Sequence, residues 1–237
     1  MFQIKVSGKS DIGKKRSNNQ DSILVNESLG LFAVADGMGG HSGGEVASSI
    51  AVKTLERVFS EATNLPVPQR MVEAVKFCNR AIHQQAAQNP KLSGMGTTLT
   101  AAAMDGEWLQ IAQVGDSRCY LFREGELFQI TEDHSQVYEL LKAGLITEHN
   151  LDQFQKNVIT RSVGYEPNVQ VDLFNRKAQR GDRYLICSDG LSGMVNNPQI
   201  AQVLQNHSVD AAVVNLVDLA NLNGGEDNVS VVVFEVV

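Results

Sequence analysis

Cysteine is scarce in this 237-residue chain: Cys78, Cys119 and Cys187 make an odd number with no CxxC spacing. All three sit inside apolar patterns and read as buried, reduced thiols, and no Cys/His cluster has zinc spacing. Long hydrophobic runs are missing as well. None approaches the roughly 20 residues a membrane-spanning helix needs, and the opening Met1-Phe2-Gln3-Ile4-Lys5 lacks the basic and apolar stretches of a signal peptide. A cytoplasmic protein without membrane contacts is therefore expected. Basic residues are outnumbered, 20 Lys and Arg against 27 Asp and Glu, for a net charge of −7. Without a basic stripe to meet a phosphate backbone, nucleic acid is not an expected partner. Repeats, low-complexity tracts, linkers and coiled-coil patterns are absent too. The length fits one large domain, 1–237, and a monomer is the expectation.

What is present is a strand-rich pattern interrupted by helices. Strand signals cover residues 2–7, 22–26 and 29–35, the last continuously apolar as in a strand buried on both faces. A helix is expected over 44–60, with Ala47, Ile50, Ala51, Leu55 and Val58 on one stripe, and a second with Met71, Ala74, Val75, Cys78 and Ile82 on another. Four strands should follow between 95 and 131, turned by Asp105-Gly106 and Glu124-Gly125. A polar, weakly patterned stretch, 138–165, is the candidate insertion. Strands at 169–174 and 183–187, helices at 198–205 and 209–222, and a strand at 228–237 complete the chain. Strands, two helices, strands, two helices, strand suggests sheet layers covered by helical layers, an α+β arrangement.

Four aspartates sit at ends of the apolar strand-like runs: LFAVAD at Asp36, IAQVGD at Asp116, LICSD at Asp189, and Asp227 leading into SVVVFEVV. After Asp36 and Asp189 come GMGGHSGG and GLSGM instead of a second alternating strand, so a plain hairpin turn explains them poorly. A glycine-rich strand end lets backbone approach a ligand closely. Carboxylates and carbonyls suit Mg²⁺ or Mn²⁺. Gathered around one point, such carboxylates would repel unless cations lay between them. Two ions roughly 3.5–4 Å apart can share a water, lower its pKa and deliver hydroxide in line to phosphorus. Arg16, in RSNNQD, offers a planar fork for phosphate oxygens. Neither a DxDxT nor a CxxxxxR nucleophile signature is present, and such a mechanism needs no phosphoenzyme.

The segments SDIGKKRSNNQD, VADGMGGHSGGEVAS, MGTTLTA, VGDSRCYLFREGELFQITEDHS, NVITRSVG, CSDGLSGMV and GGEDNVSVVV, in this order, resemble the motif series of the bacterial type-2C (PPM) metal-dependent serine/threonine protein phosphatases. The resemblance runs from about residue 6 to the C-terminus. It implies a four-layer αββα fold, a central antiparallel β-sandwich flanked by antiparallel helix pairs, with metals in a channel at one end. By the same resemblance Asp36 bridges two Mn²⁺ or Mg²⁺ ions, Gly37 lends a backbone carbonyl, and Asp189 and Asp227 complete the first site. Asp116 joins Asp189 at a weaker third ion, Asp21 acts through waters, and Arg16 holds the substrate phosphate. Stretch 138–165 is then a flap beside the channel. Animal members carry a proposed general acid directly after Asp-Gly, where this chain has Met38; His41 follows three residues later, as in bacterial relatives. Phosphoserine and phosphothreonine proteins, products of a bacterial serine/threonine kinase, are the implied substrates. The competing reading is a catalytically inactive relative that binds phosphoproteins, which the intact carboxylates argue against.

Overall fold

The computed structural model describes residues 2–147, 154 and 158–237, without the side chains of His41 and Ser42. Two antiparallel sheets form its centre. The first runs β1-β11-β10-β7-β8: β1 Ile4–Asp11, β11 Val229–Val236, β10 Arg183–Cys187, β7 Arg118–Arg123 and β8 Glu126–Gln129. The second runs β2-β3-β5-β6-β9: β2 Asp21–Asn26, β3 Leu31–Met38, β5 Leu99–Asp105, β6 Trp108–Val114 and β9 Asp172–Lys177, with the short β4 Gly96–Thr97 paired to β3.

Side chains alternate across each strand, so every central strand serves two cores. Phe32, Val34, Ile111, Tyr184, Ile186, Val232 and Phe234 point between the sheets and fill the sandwich. The ring centroids of Phe32 and Phe234 are 4.7 Å apart and those of Tyr184 and Phe234 are 5.0 Å apart. The intervening residues Leu31, Ala33 and Ala35 of β3 turn outward to α1 (Gly40–Glu61) and α2 (Val67–Gln88). Leu185 and Cys187 of β10, with Val231 and Val233 of β11, face α5 (Asn197–Asn206) and α6 (Val209–Leu222) on the other side. This is the expected αββα stack. Two short helices, α3 (Gln136–Lys142) and α4 (Asp189–Ser192), lie outside those layers.

The turns and caps follow from local chemistry. Gly106 closes the β5–β6 hairpin at φ +63°, while Glu124 and Gly125 turn β7 into β8 at φ +54° and +85°. The Ser208 side chain accepts the Ala211 amide at the start of α6, and Asn196 and Gln199 form a reciprocal capping box on α5. All three cysteines are buried and free. Burial pushes the thiols of Cys78 and Cys187 up to about 12, which leaves them inert.

Several expected boundaries move, and the first strand runs over Ile4–Asp11 instead of 2–7, its register set by antiparallel pairing with β11. The first helix begins at Gly40 instead of residue 44, and β3 runs on through Asp36 to Met38. The cause is a backbone crossing: a Cβ on Gly37 would lie 2.0 Å from the Gly44 carbonyl oxygen, so glycine at both positions lets strand and helix touch. Strand β9 occupies Asp172–Lys177, not 169–174, because its register is set by β6, with Gln113 opposite Asp172 and Trp108 opposite Lys177. Val169 and Val171 pack against the helix-side core without entering that ladder. In the expected flap, Glu148-His149-Asn150 falls outside the described residues.

Candidate metal and phosphate site

The site forms where strands of both sheets end together. In the β2–β3 ladder Asp21 stands directly opposite Asp36, and the Gly37 amide donates to the Gln20 carbonyl at 3.1 Å. From the other side, the Asp36 amide donates to Thr98 Oγ1 at 2.9 Å, and the Asp36 carbonyl accepts from the Thr98 amide and from Thr97 Oγ1. With both main-chain groups bonded, the Asp36 carboxylate has a fixed root.

The opposite sheet supplies Asp189 and Asp227. Ser188 follows β10 and opens α4; its Oγ donates to Asp21 Oδ2 at 2.8 Å and accepts the Ser230 amide at 2.9 Å. Asp189 comes next. A Cβ on Gly190 would lie 1.9 Å from the Asn228 carbonyl oxygen, so the start of α4 crosses the entry to β11 at backbone contact. Glycine after Asp189 is what brings that carboxylate beside Asp227. Asp227 Oδ1 accepts the Asn228 amide at 2.7 Å, and its Oδ2 accepts Arg16 Nη2 at 2.6 Å.

Asn228 anchors the Arg16 loop. Its Nδ2 donates to the carbonyls of Ile12 and Asn18 at 2.9 and 3.0 Å, and its Oδ1 accepts the Gln20 amide at 2.8 Å. Both Lys14 and Lys15 amides bond the Gly225 carbonyl. A half-exposed ion pair like Arg16–Asp227 is worth only ~0–1 kcal/mol, so the docked backbone holds the loop. Asn228, Ser188 and Ser117 escaped the sequence reading. Each lies beside or one residue from a candidate aspartate, and adjacency was their only signal.

Arg16, Asp36, Gly37, Asp116, Asp189 and Asp227 line one cavity of about 550 Å³. Asp21 sits behind it, buried. His41 lies in the first turn of α1; its side chain is outside the described set. Thus the structure gathers all the candidate residues whose side chains it describes.

Their electrostatics are those of an uncompensated acidic cluster. Burial first, then repulsion by Asp21, Asp189, Asp116 and Asp227, holds the Asp36 carboxyl well above the usual range. Asp21 is raised to about 7 by burial, against the lowering effect of its serine hydrogen bonds. Asp116 is also raised to about 7, by burial and then by Asp189. Asp189 is raised by burial and then by Asp227, with a hydrogen bond to Asp36 opposing the rise. Two carboxylate oxygens, Asp21 Oδ1 and Asp189 Oδ1, are buried without a partner. Buried acceptors left unmatched, in a hard all-oxygen set, fit a divalent cation of the Mg²⁺ or Mn²⁺ kind. Among the described residues no three His, Cys, Asp or Glu side chains form a ready cage for one ion.

The protein phosphatase 2C family model matches residues 7–217. The serine/threonine protein phosphatase PstP of Mycobacterium tuberculosis is 42% identical over 236 residues, 99% of this chain and 45% of the relative. This chain thus spans under half the length of that relative. The serine/threonine phosphatase stp of Listeria welshimeri is 38% identical, over 96% of this chain and 94% of its own. In three dimensions the catalytic domain of PstP, solved with two manganese ions, superposes with a TM-score of 0.92 at 40% identity over the whole of both chains. Family model, curated relatives and shared architecture agree, and the chain belongs to the protein phosphatase 2C family.

Proposed function

We propose that residues 1–237 form one catalytic domain, with a flap over about 138–165, that hydrolyses phosphoserine and phosphothreonine monoesters in proteins, dependent on Mn²⁺ or Mg²⁺. The observation that carries this is the convergence of Asp36, Asp116, Asp189, Asp227 and Arg16 on one cavity. PstP, with its two manganese ions, supports the choice of cation.

Asp36, the Gly37 carbonyl, Asp189 and Asp227 would hold two ions, and Asp116 with Asp189 a weaker third. When bound, such ions supply a water of lowered pKa and Lewis-acid stabilisation of phosphoryl oxygens. The chain's own residues do the rest. Arg16 lines the cavity with a planar fork suited to two phosphate oxygens, and docking of its loop on Asn228 keeps that fork at the rim. Asp21 accepts from Ser188, holding the β10–α4 junction and therefore Asp189 in place. The bonded main chain of Asp36 fixes the Cα from which its carboxylate extends. His41, in the first turn of α1, is the candidate proton donor to the leaving alkoxide. The sequence carries no DxDxT or CxxxxxR nucleophile signature, so direct hydrolysis without a phosphoenzyme is the reading.

No helix among the described residues is long and apolar enough to cross a membrane. We assign the protein to the cytoplasm, as a monomer acting on proteins phosphorylated by a bacterial serine/threonine kinase. The test is hydrolysis of p-nitrophenyl phosphate and of a phosphothreonine peptide. Activity should require added Mn²⁺ or Mg²⁺ and vanish with EDTA or Asp189→Asn; full activity after either treatment would refute it. Tight phosphopeptide binding without turnover under every metal would instead support the inactive-regulator reading.

A further inference from the structure

His134 belongs to none of the groups assigned above, yet it joins three segments, two of which line the cavity. It is only 5% exposed. Its ring Nδ1 accepts the Gly115 amide at 3.0 Å, and its own amide donates to the Gly115 carbonyl at 2.9 Å. An Nδ1 that accepts places the proton of the neutral ring on Nε2, which then donates to Asp172 Oδ2 at 3.0 Å. Arg161 Nη1 lies 3.2 Å from the same Nε2, but two N–H groups cannot bond each other; the acceptor for Arg161 is Asp172 Oδ1 at 2.8 Å. Finally, the His134 carbonyl accepts the Thr160 amide at 2.8 Å.

Two of those segments reach the cavity, at Asp116 and at Ile159. Gly115 precedes Asp116 and adopts φ +101°, where a Cβ would lie 2.6 Å from Thr98. Thr98 in turn bonds both the Asp36 amide and, at 2.7 Å, Ser117 Oγ. Thr160 follows Ile159, which lines the cavity wall next to Met38. The buried imidazole therefore holds the turn that carries Asp116, a turn packed against the threonine that fixes Asp36. It reaches the wall beyond Ile159 through Asp172 and its ion pair with Arg161, and the Thr160 bond is made by the His134 main chain.

We infer that His134 is a positioning residue for the phosphatase reaction: its ring clamps the Gly115–Asp116 turn to Asp172 and, through the Asp172–Arg161 ion pair, to the returning segment that walls the cavity. The inference rests on the proposed activity, so its test includes readouts that do not depend on turnover. Asparagine places an amide oxygen where Nδ1 stands and keeps an acceptor for Gly115; glutamine reaches the Nε2 position and keeps only the Asp172 side.

His134→Gln should raise the Mn²⁺ concentration for half-saturation, by calorimetry and by activity, about 10-fold or more, the usual consequence of losing a group that orients a metal ligand. It should lower kcat on p-nitrophenyl phosphate with KM little changed. His134→Asn should stay within roughly threefold of the parent in both. Nitrogen-15 spectra of the wild-type histidine should show the proton on Nε2, and the Gly115 amide should shift in the glutamine variant only. Equal impairment of the two variants, no impairment in either, or a proton on Nδ1 would overturn the inference. If His134→Gln does not fold, His134→Asn and the wild-type spectra decide it. A wild-type protein without turnover would refute the activity, while calorimetry and spectra would still judge the clamp.

Discussion

The sandwich interior and its acidic mouth are built from the same strands, and both are largely withdrawn from water. In the interior, Phe32, Tyr184 and Phe234 meet ring against ring, and burial stabilises by ~1.5–3 kcal/mol per large apolar side chain. A few residues along β3 and just past the end of β10, the groups withdrawn from water are carboxylates that repel one another, with the partly exposed Asp227 beside them before β11. The difference teaches where stability and chemistry are kept. Strands anchored by an apolar core can carry an unfavourable cluster at their ends, and a cluster of that kind has the chemistry to take a divalent cation.

Substitutions and pH should separate the two regions. The largest effect belongs to Asp36→Asn. It should lower kcat by at least about 10²–10³-fold yet leave the metal-free melting temperature unchanged or higher, because one of the repelling acids is gone. A marked drop in metal-free stability would break the contrast. Phe234→Ala should do the reverse, destabilising by ~3–5 kcal/mol in denaturant titrations while the Mn²⁺ requirement of the folded fraction is unchanged.

pH separates the regions next. Asp21 and Asp116 are raised from 3.8 to about 7, so between those values the folded, metal-free protein binds more protons than the unfolded chain. That stability is fully present below about 4 and is lost as pH rises through 7. Melting temperature should therefore fall from pH 5 to pH 8 without metal, and saturating Mn²⁺ should flatten or reverse the slope. A metal-free protein whose stability rises over that range would contradict the acidic-mouth account. The smallest effect is expected at the rim. Arg16→Lys should raise KM for a phosphopeptide roughly tenfold, the scale of one charge-assisted hydrogen bond, with no measurable change in melting temperature.

Legibility in the sequence followed the same division. Periodicity and capping located α6 at 209–222 with Ser208 as its cap, and the stripes of α1 and α2 name the residues that are buried. These are properties of short windows. The start of α1 at Gly40 was not legible, since glycine has poor helix propensity and the helix begins there because β3 crosses it at Gly37. The four-residue α4 is too short for a periodic signal, and the shift of β9 comes from its partner strand. In the site, every candidate carboxylate was visible as a residue type in a telling place. The residues that hold them were not: Ser188 and Ser117 look like ordinary strand-end serines, and the work of Asn228 lies in bonds to residues more than 200 positions away.

By itself, then, the sequence determined the binary pattern of strands and helices, the reduced cysteines, the acidic balance, and the oxygen-rich residues from which a hard-cation and phosphate site can be built. Hydrophobic period, turn chemistry and ligand type are local, and a chain displays them before it folds. Only the tertiary structure decided that Asp21 faces Asp36, that Gly190 lets Asp189 come up beside Asp227, and that Arg16 closes on that same aspartate. Those meetings depend on strand register and on which backbones can touch, and both are fixed by packing between segments far apart in the chain.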